Sequence, residues 1–328
     1  MKKISARSFL IMSVLVLSLG MGTACGAATF PEKPITLIVH SGAGGGSDIF
    51  ARVLAAANDK EKFFPQPVVV ENKPGGSGAV AFAYVAGKKK DPYYILTSVA
   101  SFLTTPLMGK SPLSYKDFTP IANFAFDENV LVVNANSKFK SIKDIVTEAK
   151  ANPQKLTVTG SQAGAIESVC TYQFEKAAGI KLNYVSAGGG GSEPILQVLG
   201  GHIDITVANP GEALELQRAG KLRILAVFSE KRLALAPDLP TFKDLGYNVT
   251  GAANNRGIAA PGGIPEDARK VLEAGLFKYS QGESWKKYAK DNMLTEGWMD
   301  SATYGKWLVE QNARYETIYR EMGVLKKK

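Results

Sequence analysis

The stretch ITLIVHSGAGGGSDIFARVLA, residues 35–55, constrains the chain more than any other, because an apolar run breaks into glycines and then resumes at helical spacing. It predicts a strand over 35–39, a glycine turn over 41–48 and a helix from 49, carried by apolar residues at 49, 50, 53, 54 and 57. Glycines reach positive φ without cost and let a ligand approach the backbone. The first N–H groups of the following helix lack intrahelical partners, and the helix dipole behind them favours a carboxylate or phosphate. One such turn contributes about 0.3–2 kcal/mol through the dipole, whereas micromolar binding needs about 8 kcal/mol. Several turns must therefore converge and exclude water.

Two more turns have the same content, at 159–168 and 186–193, and GGGSD at 44–48 is echoed by GGGSE at 189–193. Taken singly, each is a tight strand–helix connection whose Ser or Asp caps the helix, as Ser47 and Asp48 would. Gly188–Gly191 has a plainer role still, letting the next helix pack closely. With no long repeat behind it, the echo reads as convergent turn chemistry.

Further strands are expected at 67–70, 94–97, 129–134, 156–159, 182–185, 203–207, 222–227 and 256–261. Helices are expected at 79–86, 141–151, 166–178, 194–199, 213–219, 265–279, 284–291 and 301–322, with Ser141 as an N-cap and Asn152-Pro153 as a stop. Strands alternating with helices give an α/β chain of doubly wound units, which bind ligands at the carboxyl ends of their strands. A length of 328 residues suits two such units. Trp285, Trp298 and Trp307 fall in the last elements and read as packing anchors.

Lys2, Lys3 and Arg7 precede an apolar run from Phe9 to Leu19 that is too short to span a bilayer as a helix, the pattern of an export signal over 1–28. Two endings compete. GTAC at 22–25 resembles a bacterial lipobox with Gly22 where leucine is expected, which would lipidate Cys25; otherwise cleavage follows Ala28, with Gly26 small at −3. The mature chain then keeps only Cys170, so no internal disulfide is available. Losing the three basic residues takes the formal charge from +9 to +6, spread along the chain apart from Lys88–Lys90 and Lys326–Lys328. No basic stripe interleaved with aromatics points to nucleic acid.

Catalysis has little footing. His202 reads as an exposed turn residue, and Cys170 lies on an apolar helix face. His40, at a strand end, either bonds a ligand carboxylate or satisfies itself locally. Nucleophile elbow, P-loop lysine and clustered metal ligands are all missing, so neither a metal nor a cofactor is expected. A dinucleotide reading of Gly42-x-Gly44-x-x-Ser47 lacks its third glycine, and Glu71 lies too far along to hold a ribose.

FPEKPITLIV at 30–39, GAGGGSD at 42–48 with Ala51-Arg52 behind it, and VVVENKPGG at 68–76 resemble the Bug family of extracytoplasmic solute receptors of tripartite tricarboxylate transporters. The resemblance continues through LGGHID at 199–204, AGKLRILAV at 219–227, DLPT at 238–241 and RGIAAP at 256–261, with Asn209-Pro210 closest to the tricarboxylate-receptor branch. It implies a two-lobed periplasmic-binding-protein fold of the second type, two doubly wound α/β lobes joined by a two-strand hinge. Lobe 1 would take 29–132 and 254–328, and lobe 2 would take 133–253. It also implies a small carboxylate clamped by one turn from each lobe, with membrane permease subunits as partners and the receptor itself a monomer.

On that mapping Gly44, Gly45, Gly46, Ser47 and Asp48 hold the near carboxylate. Ser98, Ser101, Gly160, Ser161, Gly164, Ser168 and Asn209 set the far end, although Ala165 stands where the family often has serine and Ser168 where it often has histidine. Arg256 either reaches the cleft as a carboxylate partner or stays solvated. An aspartate in an anion cradle is the one residue this scheme leaves unexplained. The alternatives are a secreted α/β enzyme acting on a small anionic substrate and a structural surface protein.

Overall fold

Eleven strands and ten helices alternate through the described residues of the computed structural model, 30–161, 164–187 and 193–325. In chain order they begin β1 (Ile35–Val39), α1 (Gly46–Glu61), β2 (Val68–Asn72), α2 (Ala79–Ala86), β3 (Tyr94–Ser98), α3 (Ser101–Leu107) and β4 (Phe118–Asp127). There follow β5 (Val130–Asn134), α4 (Ile142–Ala151), β6 (Thr157–Gly160), α5 (Ile166–Ala178), β7 (Asn183–Ser186), α6 (Glu193–Leu199), β8 (Ile205–Ala208), α7 (Pro210–Arg218) and β9 (Leu222–Val227). The chain closes with β10 (Asn254–Pro261), α8 (Glu266–Gln281), α9 (Glu283–Asp291), β11 (Thr295–Met299) and α10 (Ser301–Glu321). The expected signal segment, Cys25 and the Gly188–Gly191 turn lie outside the described residues. No described helix is long and apolar enough to cross a membrane.

The strands form two sheets, ordered β11-β4-β10-β3-β1-β2 and β7-β6-β8-β5-β9. β1 pairs in parallel with β2 and β3, and β6 with β7 and β8, as strands joined through intervening helices do. β10 runs antiparallel to β3 and β4, and β5 antiparallel to β8 and β9, because these are the strands entered from the other sheet. β5 pairs along its whole length in the second sheet, so the chain passes from one sheet to the other at Glu128 and Asn129. It returns between Val249 and Asn254, where Asn129 Nδ2 donates to Ala252 O at 2.8 Å and ties the two crossovers together.

Local signals explain the elements. Ser141 caps α4 in a capping box: its Oγ accepts from Asp144 N at 3.2 Å, and Asp144 Oδ2 accepts from Ser141 N at 2.9 Å. α1 is aimed by its apolar face. Phe50 meets Phe124 of β4 at 5.6 Å between ring centroids and Trp285 of α9 at 6.1 Å. Each such pair adds about 0.5–1.5 kcal/mol beyond simple burial, which holds the N-terminus of α1 at the carboxyl end of β1. Trp298 packs on Phe124 at 5.4 Å and Trp307 stacks on Tyr304 at 5.9 Å, so the tryptophans are packing residues. Cys170 is fully buried against Ala252 O, and burial pushes its thiol far above the usual range.

Candidate functional site

Asp48 does not face an anion. Its Oδ2 accepts from Gly44 N at 2.8 Å and Arg52 Nε at 2.9 Å, and its Oδ1 accepts from Asn72 Nδ2 at 2.8 Å. Asn72 Nδ2 also reaches Ser41 O at 3.0 Å, so the carboxylate and the end of β2 frame both arms of the turn. The Arg52 bond, then burial opposing it, and the Gly44 and Asn72 bonds leave the carboxyl at about 2, ionised at any ordinary pH. Gly44 takes φ +79°, which a side chain would strain.

With the turn so framed, α1 begins uncapped. Gly45 is its N-cap without a side-chain bond, and Asp48 N and Ile49 N both turn back to Gly45 O, at 2.8 and 2.9 Å. The amides of Gly46 and Ser47 are therefore the helix donors left for a ligand. Ser47 is buried in the first turn and does not cap it.

Arg256 lies beside this turn. A Cβ placed on Gly46 would stand 3.3 Å from its Nη2, so Gly46 needs to be small for the guanidinium to pass. Arg256 is 9% exposed and paired with Asp127, the last residue of β4 and more deeply buried still. Of the two roles open to Arg256 from sequence, the solvated one is excluded. Asp127 was not legible as a site residue: a lone aspartate ending a strand carries no motif, and its arginine arrives 129 residues later.

The remaining expected residues divide. Asn209 is the N-cap of α7, makes no capping bond and lies against Asp127, which it helps to hold down against burial. Ser101 Oγ, at the start of α3, is buried without a partner among the described residues. Ser98 is elsewhere in purpose: fully buried, its Oγ meets Tyr304 OH at 2.7 Å while Asn255 Nδ2 donates to its carbonyl at 3.0 Å. It braces the sheet and offers a ligand nothing. In the second-sheet turn, Ser168 Oγ accepts from Gly164 N at 2.9 Å and donates to Ala165 O at 2.8 Å, so it shapes the turn. Gly164 (φ +80°) packs against Met108, and its carbonyl accepts from Tyr319 OH, joining the turn to helices of the first sheet.

Gly160 is forced by crowding, since a Cβ there would lie 2.5 Å from both Glu167 Cβ and Tyr184 OH. Ser161 Oγ donates to Glu167 Oε2 at 3.1 Å, and burial pushes the Glu167 carboxyl up. An acid near the second turn was missed because first-turn acids are ordinary helix chemistry. Its presence makes 160–168 a poorer anion cradle than 44–48.

Two titrating groups lie near the Asp127–Arg256 pair. His40, whose Nδ1 sits 3.2 Å from Thr97 Oγ1, is lowered to about 4 by burial and then by Arg256. Glu128 at the crossover is raised to about 7 by burial and then by Asp127, with Arg314 opposing. His40 stabilises the fold above pH 6.5 and loses that as pH falls towards 4, while Glu128 stabilises below 4.5 and loses that as pH rises through 7. The two slopes oppose, each worth about 2–3 kcal/mol. On acidification from pH 7 to 4.5, Glu128→Gln should lose about 2–3 kcal/mol more in urea unfolding than the wild type and His40→Gln about 2–3 kcal/mol less; departures of the same sign in both variants would refute the pairing.

Among the described residues no cluster of His, Cys, Asp and Glu is placed to hold a metal ion. The family model described as the tripartite tricarboxylate transporter family receptor matches residues 50–324. BugT of Bordetella pertussis is 30% identical over 261 residues, covering 78% of this chain and 79% of that one. A UPF0065 protein from the gbd 5' region of Cupriavidus necator is 29% identical over 303 residues, covering 92% and 90%. The crystal structure of a TctC solute binding protein from Polaromonas, without ligand, matches with a TM-score of 0.75 and 28% identity over 89% of this chain and 100% of that one. The fold shared with it is the two-lobed α/β fold of periplasmic binding proteins.

Proposed function

The chain belongs to the tripartite tricarboxylate transporter receptor family, and from that premise we propose that it captures a small carboxylate outside the cytoplasmic membrane and passes it, unchanged, to membrane permease subunits. In this reading each sheet is the core of one lobe and the cleft between them is the binding site. The crossovers at 128–129 and 249–254 are the hinge. The protein is exported, works as a monomer, and is either released after residue 28 or anchored through Cys25.

The observation that carries the carboxylate reading is the open first turn of α1 with Arg256 behind it. Hydrogen bonds from two amides to an ionised carboxylate contribute about 1.5–3 kcal/mol each. With the dipole and a nearby guanidinium they approach the roughly 8 kcal/mol of a micromolar site, which the dipole alone does not. The second-sheet side adds Asn209 and the amides of α7, with Gly160, Ser161 and Gly164 giving the cleft its wall.

Thermal-shift screening against di- and tricarboxylates, aromatic acids, amino acids and phosphates tests this. A ligand at a hundred times its Kd adds about 2.7 kcal/mol, a shift of several degrees. Stabilisation by uncharged or cationic compounds alone would reject a carboxylate receptor.

A further inference from the structure

The glycine turns of the two sheets differ in what their donors do. In the first, the Gly46 and Ser47 amides are left for a ligand. In the second, Ser161 Oγ donates to Glu167 Oε2 at 3.1 Å, Ser168 Oγ to Ala165 O at 2.8 Å and Gly164 N to Ser168 Oγ at 2.9 Å, while the Ser161 and Glu167 amides both turn to the Glu167 carboxyl. Three of these five donors therefore converge on one side chain of the protein itself. Gly160 makes the room for it. A Cβ there would stand 2.5 Å from Glu167 Cβ and 3.1 Å from its Cγ, so the glutamate stem lies across the end of β6. α5 starts at Ala165, which offers no side-chain cap, and Glu167 in its first turn meets the free amides in place of a ligand.

This turn lies on the same side as the first cradle. β6 and β8 are parallel neighbours, with Thr159 beside Thr206, so the turns that follow them lie side by side. The turn after β8 leads into Asn209, which lies against Asp127; Asp127 holds Arg256, and Arg256 borders Gly46 at the open end of α1. Glu212, in the first turn of α7, is a second acid on that wall. A helix start with free amides attracts a carboxylate, whereas one whose amides already hold a glutamate does not, and its charge opposes a second anion brought near it. We propose that Glu167 is a specificity-determining residue, an internal carboxylate seated in the second-lobe cradle that restricts the solute to a single acid group, held on α1. This deepens the carboxylate reading and rests on it. Selectivity of this kind comes from a group set against the wrong solute, with no added contact to the right one.

Calorimetric titration of the purified protein with matched pairs tests this: butanoate against succinate, hexanoate against adipate, benzoate against terephthalate. In whichever pair binds, the monoacid should bind about tenfold tighter or more. Glu167→Gln keeps the stem and an acceptor for the amides while removing the charge, and should shrink that preference at least about threefold, with monoacid affinity held within about twofold. Glu167→Ala also frees the amides of Ser161 and of residue 167, and should bring the diacid level with the monoacid or ahead of it. The steady monoacid affinity of Glu167→Gln separates lost selectivity from a damaged fold. Diacids that bind the wild type as tightly as monoacids, or a preference undiminished in both variants, overturn the selectivity and leave the carboxylate reading standing. If no acid of any pair binds, that reading fails and takes the selectivity with it.

Discussion

Replacing Asp48 with alanine should cost the receptor its ligand and part of its stability, although the side chain touches no ligand. Three donors would lose an acceptor at once, the Gly44 amide, Arg52 Nε and Asn72 Nδ2, the last keeping only Ser41 O. Arg52 is 54% exposed and can turn to water, so its share is small. Gly44 N and Asn72 Nδ2 hold the two arms of the turn, and without Asp48 the loop is no longer fixed over α1. The expected loss is about 2–3 kcal/mol of unfolding free energy and about a hundredfold or more in affinity, because the Gly46 and Ser47 amides lose their preset geometry. Asp48→Asn keeps the shape and an acceptor oxygen, and should fall between. Urea melts and calorimetric titration read the two quantities separately. Undiminished affinity in Asp48→Ala would remove the first turn from the site. The pH dependence supplies a check: with its carboxyl at about 2 against an ordinary 3.8, Asp48 stabilises the fold above pH 3.8 and loses that only as pH falls through 2.

Much of the fold was legible because it rests on local pattern. α5 and β9 run over the residues expected, 166–178 and 222–227, since apolar spacing, the Gly179 stop and the β-branched content agree there. β4 was not foreseen. It is buried almost throughout, so its side chains show no alternation, and it carries Pro120, Asn123 and Asp127. Its polar residues are tolerable only through distant partners: Asn123 Nδ2 reaches Gly297 O at 2.9 Å, in β11, which was also missed. The antiparallel placement of β10 and β5 has the same origin, because strand order is set by the return of the chain between lobes.

The site shows the same division. Glycine turns announce backbone donors, so the uncapped amides at the start of α1 could be expected from sequence. Ser98 was misjudged because its hydroxyl is engaged by Tyr304, 206 residues on. Asp127 was passed over for the same reason, since what matters about it is burial beside an arginine 129 residues on. The aspartate left unexplained by that scheme braces the turn from within.

Gly251→Ala should be the most damaging conservative change in the protein, and it lies in the returning crossover. Gly251 takes φ +70°, and a Cβ there would stand 1.9 Å from Phe228 O and 2.5 Å from Phe228 C. Those are backbone atoms whose residue is pinned, Phe228 N donating to Asn129 O at 2.8 Å in the first crossover. The glycine cannot retreat either. Its own carbonyl accepts from Arg314 Nη2 of α10 at 2.7 Å and Gln173 Nε2 of α5 at 3.2 Å, one helix from each lobe. Relief therefore requires both crossovers to shift and these bonds to break, an expected cost of about 4 kcal/mol or more. Gly246→Ala isolates the steric part: Gly246 has φ +85° with nothing within 4 Å of the added carbon, so it should lose only about 1–2 kcal/mol through backbone strain. Urea unfolding of the pair measures the difference directly, and comparable losses at the two positions would show that the crossover is not clamped. If Gly251→Ala folds at all, its ligand affinity should also fall, because the same displacement moves Asn129 and the adjoining Glu128 and Asp127, and with them the partner that holds Arg256 beside α1.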